Sequence, residues 1–385
     1  MNEMNKWVAV WGNATSIIDQ KECTYAKNIT LRYPMRMVFD ARGLRFRFSN
    51  LTGTEPVELR CAFARAEGDR TIAEDTSRRI TVGGNDIIQI EPGCEVTSDV
   101  LYMNVHSGDM CSVSIYIKDA TQMNAGVYQQ GPLSKAAYAY GCFYESAELP
   151  MDLTRNTNWF WFLNTVEVLT EEKNHCLMCF GDSITAQDWP DYLAERAWNA
   201  GYRNVSVIRR AVSGTRILRE YHCTTYAAYG LKGAKRFPVE IEAAGCDEVI
   251  IQHGINDIIH PVGTETNPWR PWSDLPTAEE LEQGVKDLYI ERARAKGMKV
   301  YGGTLIPIEG WRTYAPFRDE IKDAYNSWLR QAEDTDGCID FDKAVRDPER
   351  PSRFAEIYDS GDHLHPSAEG YKAMAFAVPE ELINY

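Results

Sequence analysis

Several features that would signal common functions are scarce or missing in this 385-residue chain. Basic charge is in deficit: 41 Lys and Arg face 56 Asp and Glu, a formal net charge of −15. A phosphate-backbone binder needs the opposite, clustered cations that displace counterions, so nucleic acid is not the expected partner. No apolar run approaches the ~20 residues of a spanning helix, and no membrane association is expected. The opening "MNEMNKWVAVWGN" lacks a basic stretch followed by a long apolar one, the mark of an export signal. Also missing are a G-x-S-x-G elbow, an H-E-x-x-H pair, a Walker A loop and a G-x-G-x-x-G turn.

Regular cysteine spacing is absent too. Ten cysteines lie at positions 23, 61, 94, 111, 142, 176, 179, 223, 246 and 338, in a chain large enough not to need staples. They read as reduced thiols of a cytoplasmic protein, in which the sequons at Asn13, Asn28 and Asn50 carry no meaning. Cys176 and Cys179 form a C-x-x-C, but no second pair completes a zinc site, so two buried strand thiols are expected. Neither a metal nor another cofactor is called for.

What is present is ordinary globular composition, 44% hydrophobic and 25% charged, over a length that exceeds one hydrophobic core. Two domains are expected, residues 1–170 and 171–385. In the first, apolar residues alternate with period two. "LRFRFSN" sets Leu44, Phe46 and Phe48 on one face and Arg45 and Arg47 on the other, and "CSVSIYIKD" repeats the pattern with Cys111, Val113, Ile115 and Ile117. "PVELRCAFARA", "RRITVGG", "DIIQIEPG" and "VLYMNV" add further runs between turn residues, with no long helix among them. The expectation is an all-β, antiparallel, jelly-roll-like sandwich.

From about Cys176 strands alternate with helices. The strands are "CLMCF", "NVSVI", "DEVIIQ", "MKVYGGTLI" and "CIDF"; the helices are 189–200, 277–296, 318–332 and 367–377. Thr277 with Glu280 makes a capping box, and Gly297 a stop. Such alternation predicts an α/β domain with a parallel sheet covered on both faces, its site at the carboxyl ends of the strands.

Three polar stretches fall where strands end: "GDSIT" with Ser183, "AVSGTR" with Gly214, and "HGINDI" with Asn256 and Asp257. Taken singly they read as a helix cap, a tight turn and an Asn-Asp turn. Together they point to one sheet edge. A fourth stretch, "DSGDHLHPSAEGY", places Asp362 and His365 three apart before a helix whose first turn is expected to hold Pro366. A shifted pairing of Asp359 with His363 fits the D-x-x-H spacing less well.

"GDSIT", Gly214, "GIND" and "DHLH" resemble the four ordered blocks of the SGNH (GDSL-type) hydrolases. "YDSGDHLHPSAEGYKAMA", "GTLIPIEG" and "WPDYLAERAW" are similar to the xylan-esterase-like branch, whose members join an N-terminal β-sandwich to a flavodoxin-like hydrolase domain. The resemblance is strong from about Leu177 to Ala377 and weaker over the sandwich. It implies Ser183 as nucleophile, and Asp362 and His365 as the rest of a triad. Ser183 N–H, Gly214 N–H and the Asn256 amide would form an oxyanion hole. Thr215 departs from the pattern, which often has Asn there; the Gly214 donor is untouched, so the departure bears on substrate detail.

The chemistry stands without the family. A serine hydroxyl needs a neighbouring base near neutral pH, an acid to orient that base, and donors where carbonyl charge develops. Trp269, Trp272 and Trp311, in loops after the third and fourth strands, are candidate sugar-stacking residues, and His253 a candidate pocket residue. The function expected is a serine esterase removing small acyl groups, acetyl by family resemblance, from plant-type oligosaccharides such as xylo-oligosaccharides taken up by a bacterial cell. A lipid or thioester hydrolase with the same triad, and a non-catalytic carbohydrate-binding protein, are the alternatives. The glycan, the ester position, the sandwich's role and self-association into a homo-oligomer stay open.

Overall fold

The computed structural model describes residues 4–15 and 24–385; Cys23 lies outside them. The chain divides into two compact units: Met1–Cys176 with Arg203–Ile208 and Ala243–Gly245, and Leu177–Tyr202 with Arg209–Glu242 and Cys246–Tyr385.

In the first unit every named strand pairing is antiparallel. One sheet runs Met4–Gly12, Leu163–Glu171, Gly43–Ser49, Glu95–Thr97. The larger runs Thr154–Thr157, Ala136–Tyr140, Ile29–Arg36, Met110–Ile117, Val57–Arg65, Arg78–Ile80, with Ile88–Ile90 also paired to Val57–Arg65. Phe46 of one sheet and Phe63 of the other meet with ring centroids 5.5 Å apart, both fully buried.

The alternation predicted for 44–48 holds, with Leu44, Phe46 and Phe48 buried and both arginines half-buried. Two expectations need correction. Met110–Ile117 is buried on both faces beyond its first residue, because polar Ser114 has an internal partner, the Arg32 Nε at 3.0 Å. "VLYMNV" is no strand: only the isolated bridges Leu44–Leu101 and Ala41–Val105 anchor it.

The five strands expected in the second half are present: His175–Gly181, Val205–Ala211, Cys246–Gln252, Lys299–Gly303 and Gly337–Ile339. They form a parallel sheet in which Val205–Ala211 takes one edge and His175–Gly181 the next place, the remaining three following in chain order. This 2-1-3-4-5 order is the flavodoxin-like arrangement. Trp189–Asn199 packs on Ala368–Ala377, and Ala278–Val285 on Pro316–Gln331. The capping box of Thr277 and Glu280 is made, both hydrogen bonds being present.

Several helix details differ from expectation. The helix expected over 277–296 is interrupted by a π turn, Lys286–Ile290, between Ala278–Val285 and Glu291–Ala295. Such turns often accompany functional sites, and this one carries the buried Tyr289 discussed below. Pro366 is not in the first turn of the last helix: Ser367 is its N-cap, accepting from Gly370 N–H, which puts the proline just outside. A hydroxyl that satisfies a free N–H outweighs the fixed φ of proline as a start signal. Short helices at Gly233–Glu240, Ile255–Ile259 and Phe341–Val345 are additional. No helix among the described residues is long and apolar enough to cross a membrane.

Candidate active site

Strand His175–Gly181 ends in a turn that only glycine can make at position 181. A Cβ there would lie 2.4 Å from both the Gln252 carbonyl oxygen and Thr185 Oγ1. The chain then enters the short helix Ser183–Ala186, capped by Asp182, whose Oδ1 accepts from Ile184 N–H at 3.1 Å. Asp182 is fully buried, and its Oδ2 has no partner. Burial raises its carboxyl to about 7, against the opposing pull of Ile184 N–H and His365.

Ser183 and His365 meet although 182 residues apart: serine Oγ and imidazole Nε2 are 2.9 Å from each other. On the other side of the ring Nδ1 lies 2.7 Å from Asp362 Oδ2. Asp362 Oδ1 accepts the backbone N–H of Leu364 at 2.9 Å and of His365 at 2.8 Å. Burial would raise the Asp362 carboxyl, but the His365 side chain and these N–H groups outweigh it and hold the group well below the ordinary carboxylate range. A hydroxyl, an imidazole and an ionised carboxylate therefore stand in one hydrogen-bonded chain at the carboxyl end of the first sheet strand.

Asp359 and His363, the shifted pairing, are also joined, Nδ1 to Oδ2 at 2.5 Å. The loop thus holds two Asp–His pairs, and the serine contacts His365. His363 sits in the left-handed region, φ 64°, which a side chain other than Gly, Asn or Asp seldom occupies.

Gly214 follows the strand Val205–Ala211 with φ 78°, and a Cβ there would lie 2.2 Å from the Tyr229 ring. Among the described residues its N–H makes no hydrogen bond. Asn256, in the helix after the third strand, donates through Nδ2 to the Thr215 carbonyl at 3.1 Å, which fixes the amide and leaves its second hydrogen unassigned. The neighbouring Asp257 accepts from Ile217 N–H at 2.8 Å and Leu218 N–H at 3.0 Å, tying the second and third strand ends together. Thr215 turns its hydroxyl to the Leu231 carbonyl at 3.1 Å and is buried, so the residue that departs from the family pattern serves the loop through its backbone.

Other candidates divide. Trp311 lies edge-on to His365, ring centroids 6.4 Å apart at 86°. Trp269 and Trp272 are about half exposed, with no contact given to Ser183, His365 or Asp362. Trp272 bonds Glu265 at 3.1 Å and rests against Phe317, which accounts for its place as loop packing. His253 is corrected as a pocket residue: it is buried, Nδ1 lies 2.9 Å from Tyr289 Oη and Nε2 3.2 Å from the Thr215 carbonyl. Burial, then Arg236, lowers its pKa to about 3, so it is a neutral packing group. A tyrosine cluster, Tyr221, Tyr226 and Tyr229, was missed; three tyrosines in nine residues just after "AVSGTR" were the available signal. Among the described residues no group of three His, Cys, Asp or Glu side chains is placed to hold a metal.

Fold and site together define a hydrolase of the doubly wound α/β kind. The profile of the GDSL-like Lipase/Acylhydrolase family matches residues 179–373, just over half of the chain, and the protein belongs to that family and is a carboxylic ester hydrolase. No curated protein matches the chain. Solved structures similar to it include a variant of the acetyl xylan esterase Axe2 from Geobacillus stearothermophilus, 20% identical, covering 55% of this chain and 96% of that one with a TM-score of 0.41. A GDSL-like lipase from Bacteroides thetaiotaomicron is 18% identical, covering 54% and 87% with a TM-score of 0.36. An α/β hydrolase, LAE5, from the metagenome of Lake Arreo, Spain, is 19% identical, covering 53% and 92% with a TM-score of 0.39.

Proposed function

We propose that the protein is a serine esterase that removes small acyl groups, acetyl above all, from saccharides. One observation carries the mechanism: the Ser183–His365–Asp362 chain, with links of 2.9 and 2.7 Å. In it His365 Nε2 takes the serine proton as Oγ attacks the ester carbonyl, and returns it to the departing sugar hydroxyl; water then repeats the cycle on the acyl-serine. Asp362, ionised by its four hydrogen-bonding contacts, holds Nδ1–H and balances the imidazolium. The carbonyl oxygen becomes negative in the space answered by the N–H groups of Ser183 and Gly214 and the free amide hydrogen of Asn256.

The saccharide half of the proposal rests on the xylan-esterase-like motifs and on Trp311, an apolar face next to the base on which a sugar ring can stack. Hydrolysis of acetylated xylo-oligosaccharides, compared between the wild type and Ser183→Ala, tests it. Acetate release by the wild type and none by the variant is expected; equal rates overturn the assignment. A series of aryl esters should peak at short acyl chains, and a peak at long chains would make the enzyme a lipid hydrolase.

A further inference from the structure

Beside Gly214 lies a group of side chains that the ester-cleaving chemistry does not use. Tyr229, whose ring covers Gly214, stacks on His260 with centroids 5.4 Å apart and planes 19° from parallel. Tyr221 is 5.8 Å from His260 and 4.5 Å from Tyr226, closing an aromatic cluster. Two guanidinium groups enter it: Arg216 Cζ is 4.1 Å from the centre of the Tyr221 ring, and Arg270 Cζ is 4.7 Å from that of Tyr226.

These two arginines are not equivalent. Arg216 has a counterion in Asp274 Oδ2 at 3.0 Å. Arg270 is only 8% exposed, and among the described residues its guanidinium makes neither a hydrogen bond nor an ion pair. Two more buried atoms in the cluster have no partner, Tyr221 Oη and His260 Nδ1. Burial first, then Arg270, Arg216, Arg312 and Arg318, hold the His260 imidazole well below its ordinary pKa, with no carboxylate acting against them.

Buried polar groups without partners are costly, and a buried cation without a counterion more so; where several converge, the missing partner is generally a ligand. The missing partner here has a definite chemistry. The planar fork of a guanidinium fits a carboxylate through two parallel hydrogen bonds, and a phenol adds a third donor. One unpaired arginine matches a single negative charge.

We propose that Arg270, Tyr221 and His260 form a carboxylate subsite beside the ester-cleaving centre, which selects acylated sugars that also bear an acid group, such as a uronic acid. The proposal rests on the esterase reading of Ser183 and extends it to the substrate class. The acid would sit on the saccharide, the part of the ester that leaves as an alcohol.

Three substrates test this: 4-nitrophenyl acetate, neutral acetylated xylo-oligosaccharides, and the same oligosaccharides carrying a glucuronic acid branch. The quantity read is the ratio of kcat/KM for the branched over the neutral oligosaccharide. In the wild type it should be roughly tenfold, the size of one charge-assisted pair, and should shrink as salt rises. In Arg270→Gln the ratio should fall to about one through KM, in Arg270→Lys it should stay in between, and Tyr221→Phe should reduce it. A wild-type ratio near one, or a ratio that survives Arg270→Gln while both rates fall together, overturns the subsite and leaves Arg270 a packing residue. Binding gives a second reading free of catalysis. Glucuronate should raise the melting temperature of the Ser183→Ala protein, glucose should not, and Arg270→Gln should cancel the rise; a rise with inorganic phosphate but not with glucuronate also overturns the proposal. If 4-nitrophenyl acetate is cleaved equally by the wild type and Ser183→Ala, the esterase reading itself fails, a result distinct from any of these.

Discussion

Asp362 grips His365 twice, through the ring Nδ1 at 2.7 Å and through the backbone N–H at 2.8 Å. The carboxylate therefore fixes both the tautomer of the imidazole and the position of the residue that carries it. Asp362→Asn keeps an acceptor for the backbone N–H groups but removes the charge and favours the wrong tautomer, in which Nε2 carries the proton and cannot take one from Ser183. In a serine protease the equivalent change costs about 10⁴ in kcat; here kcat for 4-nitrophenyl acetate should fall by ~10²–10⁴ with KM little changed. A fall of less than tenfold would mean that Asp362 is not the orienting acid.

The neighbouring pair makes the contrast. His363 bonds Asp359 but is not the histidine that meets Ser183, and it occupies a backbone conformation better suited to glycine. His363→Gly should leave kcat/KM for aryl acetates within about threefold of the wild type, whereas His365→Ala should abolish activity. The strain relieved at φ 64° and the lost exposed ion pair are both of order 1 kcal/mol or less, so the melting temperature should move by only a few degrees. Loss of activity in the His363 variant, with His365→Ala spared, would transfer the base to the other pair.

At Gly214 space and conformation act together. Gly214→Ala would drive a methyl group into the Tyr229 ring at 2.2 Å in a left-handed backbone, and the loop must shift to accept it. The N–H of residue 214 then leaves the position at which carbonyl charge develops. A loss of ~10²–10³ in kcat is expected, as for removal of one oxyanion donor, and Asn256→Ala should cost a similar amount. Because both act on the same developing charge, the double variant should lose less than the product of the two single losses; full multiplicativity would show that they do not serve a common oxyanion.

Much of this was legible in the chain, and the reasons differ by residue. The five parallel strands were readable because each is a short apolar run followed by polar residues at one sheet edge, and the Thr277–Glu280 box because its signature is local. Residues 100–105 had the composition of a strand, but their partners are set by distant Leu44 and Ala41, which supply only isolated bridges. His253 looked available because it precedes a strand-end loop; its burial is imposed by Tyr289 from a π turn 36 residues away, which no local pattern announces. Trp311 and Trp272 were indistinguishable as loop tryptophans, and only tertiary contact sets one against His365 and the other against Phe317. The unpaired Arg270 was invisible for the same reason: a missing counterion is a property of the packed structure.

Asp182 makes the pH behaviour predictable. Its carboxyl is raised to about 7 in the folded chain, and Asp257 to about 6, by burial in both cases, against an unfolded value near 3.9. Between these limits the folded state binds more protons than the unfolded one, so these two groups make stability decline as pH rises from about 4 to about 7. Asp362 works in the opposite sense, because its carboxyl is held low when folded; its contribution is lost only as pH falls below the ordinary carboxylate range, and it is constant across the same window. Asp182→Asn removes the larger of the two declining contributions while retaining an oxygen that can accept from Ile184 N–H. Thermal melts from pH 4.5 to 7.5 should show the variant gaining on the wild type as pH rises, with the largest gain at the alkaline end. A difference that is constant with pH, or that grows toward acid, would mean that Asp182 is ionised in the folded protein throughout and that its unpartnered oxygen is stabilised by something other than a proton.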